Sequence, residues 1–308
     1  MLATVQTDLH QHVYTRPLLD RLERRRSLPF ARRLDGITTI HAAGELAYAI
    51  ETAAEAADIR ARLKRRDGLD RAVVAISSPL GIEALPRPEA LELIEAHLEG
   101  VDALPDDFAA WGPVALNEPD VSDVDAVLDW GCVGVSVPAG ALVGRERLDL
   151  ASPLLQRVAA RGAPLFVHPG LAPGERPAAS LSLETPWWGA MTSYVSQMQA
   201  AWLTFACAGR REHPDLVVVF AMLAGCAPLQ AERLSARHGP SLDLSDPVTF
   251  YETSSYGRAA VDTMARLVGE RQLVYGSDRP VVEPTFTGRE SVLQSQAGEL
   301  ISGRVLVA

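Results

Sequence analysis

The sequence predicts an α/β protein folded as a closed (β/α)8 barrel, the TIM-barrel architecture, with a small β-hairpin inserted after the first strand. Three observations predict it. Short apolar runs alternate with amphipathic helical stretches almost throughout, which implies parallel strands joined by helical crossovers. Eight such runs within 308 residues suit a closed barrel. The segment after the first run, Gln11-His12-Val13-Tyr14-Thr15-Arg16, holds no glycine. An open doubly wound sheet normally carries a glycine-rich phosphate loop there.

The strands are expected at Ala3–Leu9, Ala72–Ser77, Ala109–Leu116, Cys132–Val137, Pro164–Val167, Leu216–Ala221, Val248–Thr253 and Leu273–Gly276. Helical spacing marks Glu51–Arg65, Arg87–Leu98, Val121–Trp130, Ser152–Ala160, Ser193–Ala208, Pro228–Arg237 and Arg258–Val268 between them. Two stretches depart from the alternation. Gly36–Gly44 is β-prone and reads as a hairpin in the first βα loop, on the rim of the barrel. Gly170–Thr192 is a long Pro- and Ala-containing insertion with Glu184 and the pair Trp187-Trp188, and loops of that length usually serve as lids or binding loops. No repeat or linker interrupts the chain, so residues 1–308 are expected to form one domain.

An apolar fraction of 47% with 22% charged residues describes an ordinary globular composition. The net charge of −10 opposes nucleic-acid binding, which needs a basic face to neutralise phosphates. Cys132, Cys207 and Cys226 are widely spaced and odd in number, a pattern of free thiols in a reducing compartment. Asp8 and His10 interrupt the first apolar stretch, so no signal peptide is read, and no apolar run is long enough to span a membrane. The expectation is a cytoplasmic protein whose partner is a small molecule, with neither nucleic acid nor membrane, and a homodimer as the one assembly considered.

The chemistry gathers at strand ends. Side chains alternate faces along a strand, so His10 and His12 in Asp8-Leu9-His10-Gln11-His12 point the same way, as a pair of metal ligands would. Pro164–Gly170 and Leu273–Pro280 are apolar runs that end in His168 and Asp278 and are stopped by Pro or Gly. In parallel α/β folds the C-terminal strand ends are where ligands bind. Strands 1 and 8 adjoin once a barrel closes and strand 5 faces them, so His10, His12, His168 and Asp278 can meet on one ion.

His-x-His, then His, then Asp, each at a strand end, resembles the amidohydrolase superfamily, and most nearly the branch that includes non-oxidative decarboxylases of small carboxylic acids. The resemblance runs over nearly the whole chain in element order, but only these three motifs are specific. It implies one divalent metal held by His10, His12, His168 and Asp278, with zinc the expected ion and manganese or iron the alternatives. It gives Asp278 a catalytic role as proton shuttle. The expected activity is hydrolysis of an ester, lactone or amide of a small organic molecule through a metal-activated water. The alternatives are non-oxidative decarboxylation of a small carboxylic acid and a non-catalytic binding protein on the same scaffold.

The likeness fails on strand 6. Where that branch carries a histidine, this chain has Met222, whose thioether is a poor ligand for such ions and transfers no proton. Met222 is expected to turn into the mouth, and Gln230, Tyr256, Tyr14 and His41 are the candidate replacements. Substrate contacts are expected from Arg16, Trp187, Tyr256 and Arg279, the arginines as bidentate partners of a carboxylate. His97 and His238 are expected to face solvent.

Overall fold

In a computed structural model, which describes residues 5–175 and 185–303, eight parallel strands follow one another in chain order. They are β1 (Thr7–Gln11), β5 (Arg71–Val74), β6 (Phe108–Pro113), β7 (Gly134–Pro138), β8 (Leu165–His168), β9 (Val218–Phe220), β10 (Thr249–Glu252) and β11 (Leu273–Val274). All eight lie where the apolar runs place them. β1, β7, β8, β9, β10 and β11 are buried along their whole length, as strands covered on both faces must be. The ring closes between the segment after β11 and β1. Leu9 N–H donates to Tyr275 O (3.0 Å), Asp278 N–H to His10 O (2.8 Å) and His12 N–H to Arg279 O (2.7 Å).

The helices follow from local signals. In α1 (Arg16–Arg24) Pro17 starts the first turn and Leu18, Leu19 and Leu22 face inward. α2 (Ala57–Arg66) and α3 (Arg87–Asp102) follow, α3 burying Ala90, Leu93, Ile94, His97, Leu98 and Val101 at helical spacing. α4 (Val121–Trp130) is capped by the Asp120 carboxylate on Ser122 N–H and ends at Gly131, whose φ of 112° favours glycine. α5 (Gly144–Ala160) continues through Pro153. The chain is then helical from 186 to 212, with α6 (Pro186–Gly189), α7 (Val195–Thr204) and α8 (Arg210–Glu212) joined by π turns at Ala190–Tyr194 and Phe205–Gly209. α9 (Ala231–Ser235), α10 (Arg258–Val268) and α11 (Glu290–Ile301) complete the set.

The structure departs from the expectations in four places. The insertion after β1 is a three-stranded antiparallel sheet, β2 (Phe30–Leu34), β3 (Ile37–His41) and β4 (Tyr48–Glu51), rather than a hairpin at Gly36–Gly44. Asp35 and Gly36, at φ 50° and 82°, form its tight turn, a signal for the strand on either side. α1 and α11 lie in segments to which the sequence reading assigns no helix. Much of the long insertion is helix, because Trp187 onward belongs to the run through α7; residues 176–184, Glu184 included, lie outside the described residues. His97 is buried on α3 (1% exposed), while His238 is exposed as expected. No helix among the described residues is long and apolar enough to cross a membrane.

Candidate metal centre

Below the mouth, the barrel is filled by Trp111 stacked on Phe166, with ring centroids 5.1 Å apart, and His10 packs edge-on against Phe166 at 5.2 Å. Trp111 Nε1–H donates to Leu9 O (2.8 Å), which ties this plug to the strand that carries the histidines. β1 pairs with β5 with a shift in register between Asp8 and Gln11. Such an irregularity re-aims side chains beside a site.

On this floor the metal-binding atoms of His10, His12 and His168 lie within 4.8 Å of one another, and all three residues are buried. Their outer nitrogens fix which atoms face inward. His10 Nδ1–H donates to Glu252 Oε2 (3.0 Å), His12 Nδ1–H to Ala75 O (2.9 Å) and His168 Nδ1–H to Pro169 O (2.8 Å). Each acceptor is a carboxylate or carbonyl, so each Nδ1 carries a proton and each Nε2 is the atom left to bind an ion once any proton on it is released. His10 Nε2 and His12 Nε2 stand 3.1 Å apart, and Asp278 Oδ1 is 3.2 Å from His12 Nε2 and 3.6 Å from His10 Nε2. Lone pairs and a carboxylate crowded in this way repel one another unless a cation is shared. The donor set fits a divalent ion, with second-shell acceptors of the kind that hold ligating imidazoles in one tautomer.

The electrostatics agree. Burial works to lower the His10 pKa, but the charges of Glu252 and Asp278 outweigh it and hold the ring up at about 9. Burial, with the neighbouring His10 and His12, pushes His168 well below its ordinary value. The site thus attracts positive charge at one ring and rejects a proton at another. Asp278 has left-handed backbone (φ 58°), a conformation Asp tolerates better than most residues. Its side chain is 16% exposed, so it faces the mouth while meeting the histidines.

Glu252 is the site residue that the sequence reading missed. It is fully buried at the end of β10 and accepts from His10 Nδ1–H, Ser254 Oγ–H (2.8 Å), Met222 N–H (3.2 Å) and Ser254 N–H. The one available signal was a lone carboxylate ending an otherwise apolar strand, Thr249-Phe250-Tyr251-Glu252. Met222 reaches the centre through its main chain, and its half-buried side chain packs against the apolar core.

The two expected substrate arginines are placed differently. Arg16 is 55% exposed and pairs with Asp20 (2.7 Å) at the start of α1. Arg279 is buried in ion pairs with Asp67 (2.6 Å) and Glu283 (2.9 Å). Arg279 is taken up by its ion pairs, whereas the Arg16 guanidinium stays exposed beside Asp20. Trp187 is 54% exposed and lies against Trp188 at 5.7 Å. Tyr256 is half-buried and packs against the apolar core. Among the proposed replacements for the strand-6 histidine, Tyr14 lies where the charge of Asp278 acts on it, whereas His41 stacks on Phe30 in the inserted sheet.

No protein-family model matches the chain, and no curated protein matches it significantly. Solved structures do. The Metarhizium anisopliae IDCase superposes with a TM-score of 0.73 at 15% identity, covering 99% of this chain and 95% of that one. The 2,6-dihydroxybenzoate decarboxylase from Rhizobium gives 0.69 at 16% identity, covering 99% of each. A 5-carboxyvanillate decarboxylase from Novosphingobium aromaticivorans, solved with manganese, gives 0.63 at 14% identity, covering 98% of this chain and 90% of that one. The resemblance first carried by three short motifs extends to the whole architecture: this chain has the barrel fold of the amidohydrolase-type decarboxylases.

Proposed function

We propose that the chain is an amidohydrolase-superfamily enzyme that decarboxylates a small carboxylic acid without a redox cofactor, in preference to the hydrolysis expected from the motifs. The observation that carries this reading is the gathering of His10, His12 and His168, with Asp278 beside the first two, at a mouth where strand 6 offers Met222. Hydrolysis calls for proton removal from water and proton delivery to a leaving group. Decarboxylation needs one proton delivered to carbon, which a single carboxyl group can supply. The structural likeness to decarboxylases over nearly the whole chain supports the same choice.

His10, His12, His168 and Asp278 would hold one divalent ion, with manganese beside zinc as the expected species, since a similar barrel carries manganese. When bound, the ion supplies positive charge that anchors a carboxylate or neighbouring oxygen and stabilises developing negative charge. Glu252 holds His10 in its donor tautomer, and the Ala75 and Pro169 carbonyls do the same for His12 and His168. Asp278 takes up the proton of the incoming carboxylic acid and passes it to the carbon that loses the carboxylate. The carbon–carbon bond breaks, its electron pair becomes the new C–H bond, and carbon dioxide leaves.

The test is release of labelled carbon dioxide from carboxyl-labelled hydroxybenzoic and unsaturated acids by the metal-loaded full chain. Ester or lactone opening, with no carbon dioxide from any acid, would overturn the proposal. Elemental analysis of the purified protein checks the ion.

A further inference from the structure

Helix α7 reaches the supports of the metal centre at two places, through side chains two residues apart. Gln197 Oε1 accepts from Gly170 N–H (3.0 Å), and Gln199 Nε2–H donates to Gly225 O (2.8 Å). Gly170 follows Pro169, whose carbonyl accepts from His168 Nδ1–H. Gly225 lies in the turn after β9 that begins at Met222. Met222 N–H donates to Glu252 Oε2 (3.2 Å), the acceptor of His10 Nδ1–H. One helix therefore grips the loops that support two of the three histidines. It is flanked by the π turns at Ala190–Tyr194 and Phe205–Gly209, a feature frequent at functional sites.

The turn after β9 needs such a grip. Met222, Leu223, Ala224, Gly225 and Cys226 all have left-handed backbone, with φ between 50° and 59°. L-residues enter that region singly and at a cost, so a run of them persists only where its surroundings fix it. Within the turn, Ala224 N–H donates to Ala221 O (2.9 Å). From outside, α7 closes on it, since a Cβ on Gly225 would lie 2.8 Å from Val195 O and 3.3 Å from Gln199 Cγ. Val195 and Gln199 are four residues apart and share the face of α7 turned to Gly225. The start of the turn supplies one of the three donors that meet Glu252 Oε2, beside His10 Nδ1–H and Ser254 Oγ–H. Relaxation of the turn would move that N–H and loosen the carboxylate that orients His10. The Gly170 loop is a separate connection. Gly170 O accepts from Gly140 N–H (3.0 Å), and a Cβ on Gly170 would meet Ser78 Cβ at 2.7 Å and Pro138 Cβ at 2.9 Å.

We propose that Gln199 is a positioning residue for the metal centre: it holds the left-handed turn that seats Glu252 on His10, while Gln197 braces the His168 loop independently. The proposal rests on the reading that His10, His12 and His168 bind a divalent ion. The test is zinc affinity, by competition with a chromophoric chelator, of the full chain and of Gln199→Met, Gly225→Ala and Gln197→Met. Each is made alone and together with Glu252→Gln, which leaves one acceptor oxygen for the four donors of the carboxylate. Gln199→Met keeps the length of the side chain and should weaken zinc by about fivefold, less than the loss expected at a direct partner of a ligating histidine. In the Glu252→Gln background the same change should cost less than about twofold, because residues of one network are not additive. Gly225→Ala, which presses on Val195 O, should show the same coupling. Gln197→Met should weaken zinc to the same extent in both backgrounds, as independent sites add. A helix that merely stabilises the fold would give equal losses in both backgrounds for every variant. Equal losses for Gln199→Met, or a single-variant affinity within about twofold of wild type, would overturn its role while the metal centre stands. If the wild-type chain binds no zinc, the centre itself fails and the positioning role with it.

Discussion

At the scale of single residues, the centre depends on which nitrogen of each histidine carries the proton. Glu252 decides this for His10, and its charge also raises the basicity of that ring. Glu252→Gln keeps the shape and removes the charge, so metal affinity should fall by about 10- to 100-fold, the range seen for second-shell partners of ligating histidines. Competition with a chromophoric chelator measures it. Unchanged affinity would confine Glu252 to holding Met222 and Ser254. Asp278→Asn should leave the barrel folded and lower turnover by about 100-fold or more if Asp278 delivers the proton. Near-normal turnover would move the acid to Tyr14. His10, His12, His168 and Asp278 were legible because a strand end and a breaker are local patterns. Glu252 was not, because its meaning lies in a partner 242 residues away.

Among elements, the seam between β1 and the segment after β11 brings Asp278 to the histidines, and a buried arginine fastens it. Arg60 of α2 is 1% exposed, and its Nη2 donates to Gln11 Oε1 (2.9 Å), His12 O (3.0 Å) and Arg279 O (3.4 Å). It clasps both strand ends from outside the ring. Arg60→Met leaves buried acceptors without a donor and should cost about 2–3 kcal/mol, read as a lower urea midpoint with an unchanged slope. A change below about 0.5 kcal/mol, the ordinary scatter of surface substitutions, would show that the seam holds without it. The helix carrying Arg60 was readable from its periodicity. Its target was not, since the two strand ends it joins lie 48 and 219 residues away. The inserted sheet shows the same limit, because the pairing of β2 with β3 and of β3 with β4 is set by the fold around a turn rather than by the apolar content of each strand.

For the whole molecule, acid stability should turn on His97. It is enclosed between α3 and the barrel beside a small cavity that it lines with His12, Tyr14 and Ser77, and neither ring nitrogen has a hydrogen-bond partner among the described residues. Burial, aided by His12, lowers its pKa to about 3. Between that value and the ordinary 6.5 the unfolded chain binds the proton and the folded chain does not, so stability falls as pH drops through this window. From pH 7 to pH 5 the loss attributable to this ring is about 2 kcal/mol. His97→Leu should remove that part of the acid limb, measured as the difference in urea-unfolding free energy at the two pH values. An equally steep limb in the variant would assign the acid sensitivity to other groups.

What the sequence by itself determined is the barrel and the gathering of His10, His12 and His168, with Asp278 beside them, at strand ends. Alternating apolar runs and helical spacing specify parallel strands with crossovers, and the breakers after His168 and Asp278 leave those side chains at the C-terminal rim. These are periodicities and stops within a few residues of chain, which any fold of this class must obey. What only the tertiary structure decided is how polar groups are paired. Arg279 goes to Asp67, 212 residues away, instead of to a ligand; Glu252 goes to His10; His97 is enclosed rather than solvated. Tyr14 and Tyr48 come together from the end of β1 and the inserted sheet. The physical reason is that charge and hydrogen-bond partners are chosen by proximity in the closed barrel, and closure brings together segments whose separation along the chain leaves no local trace.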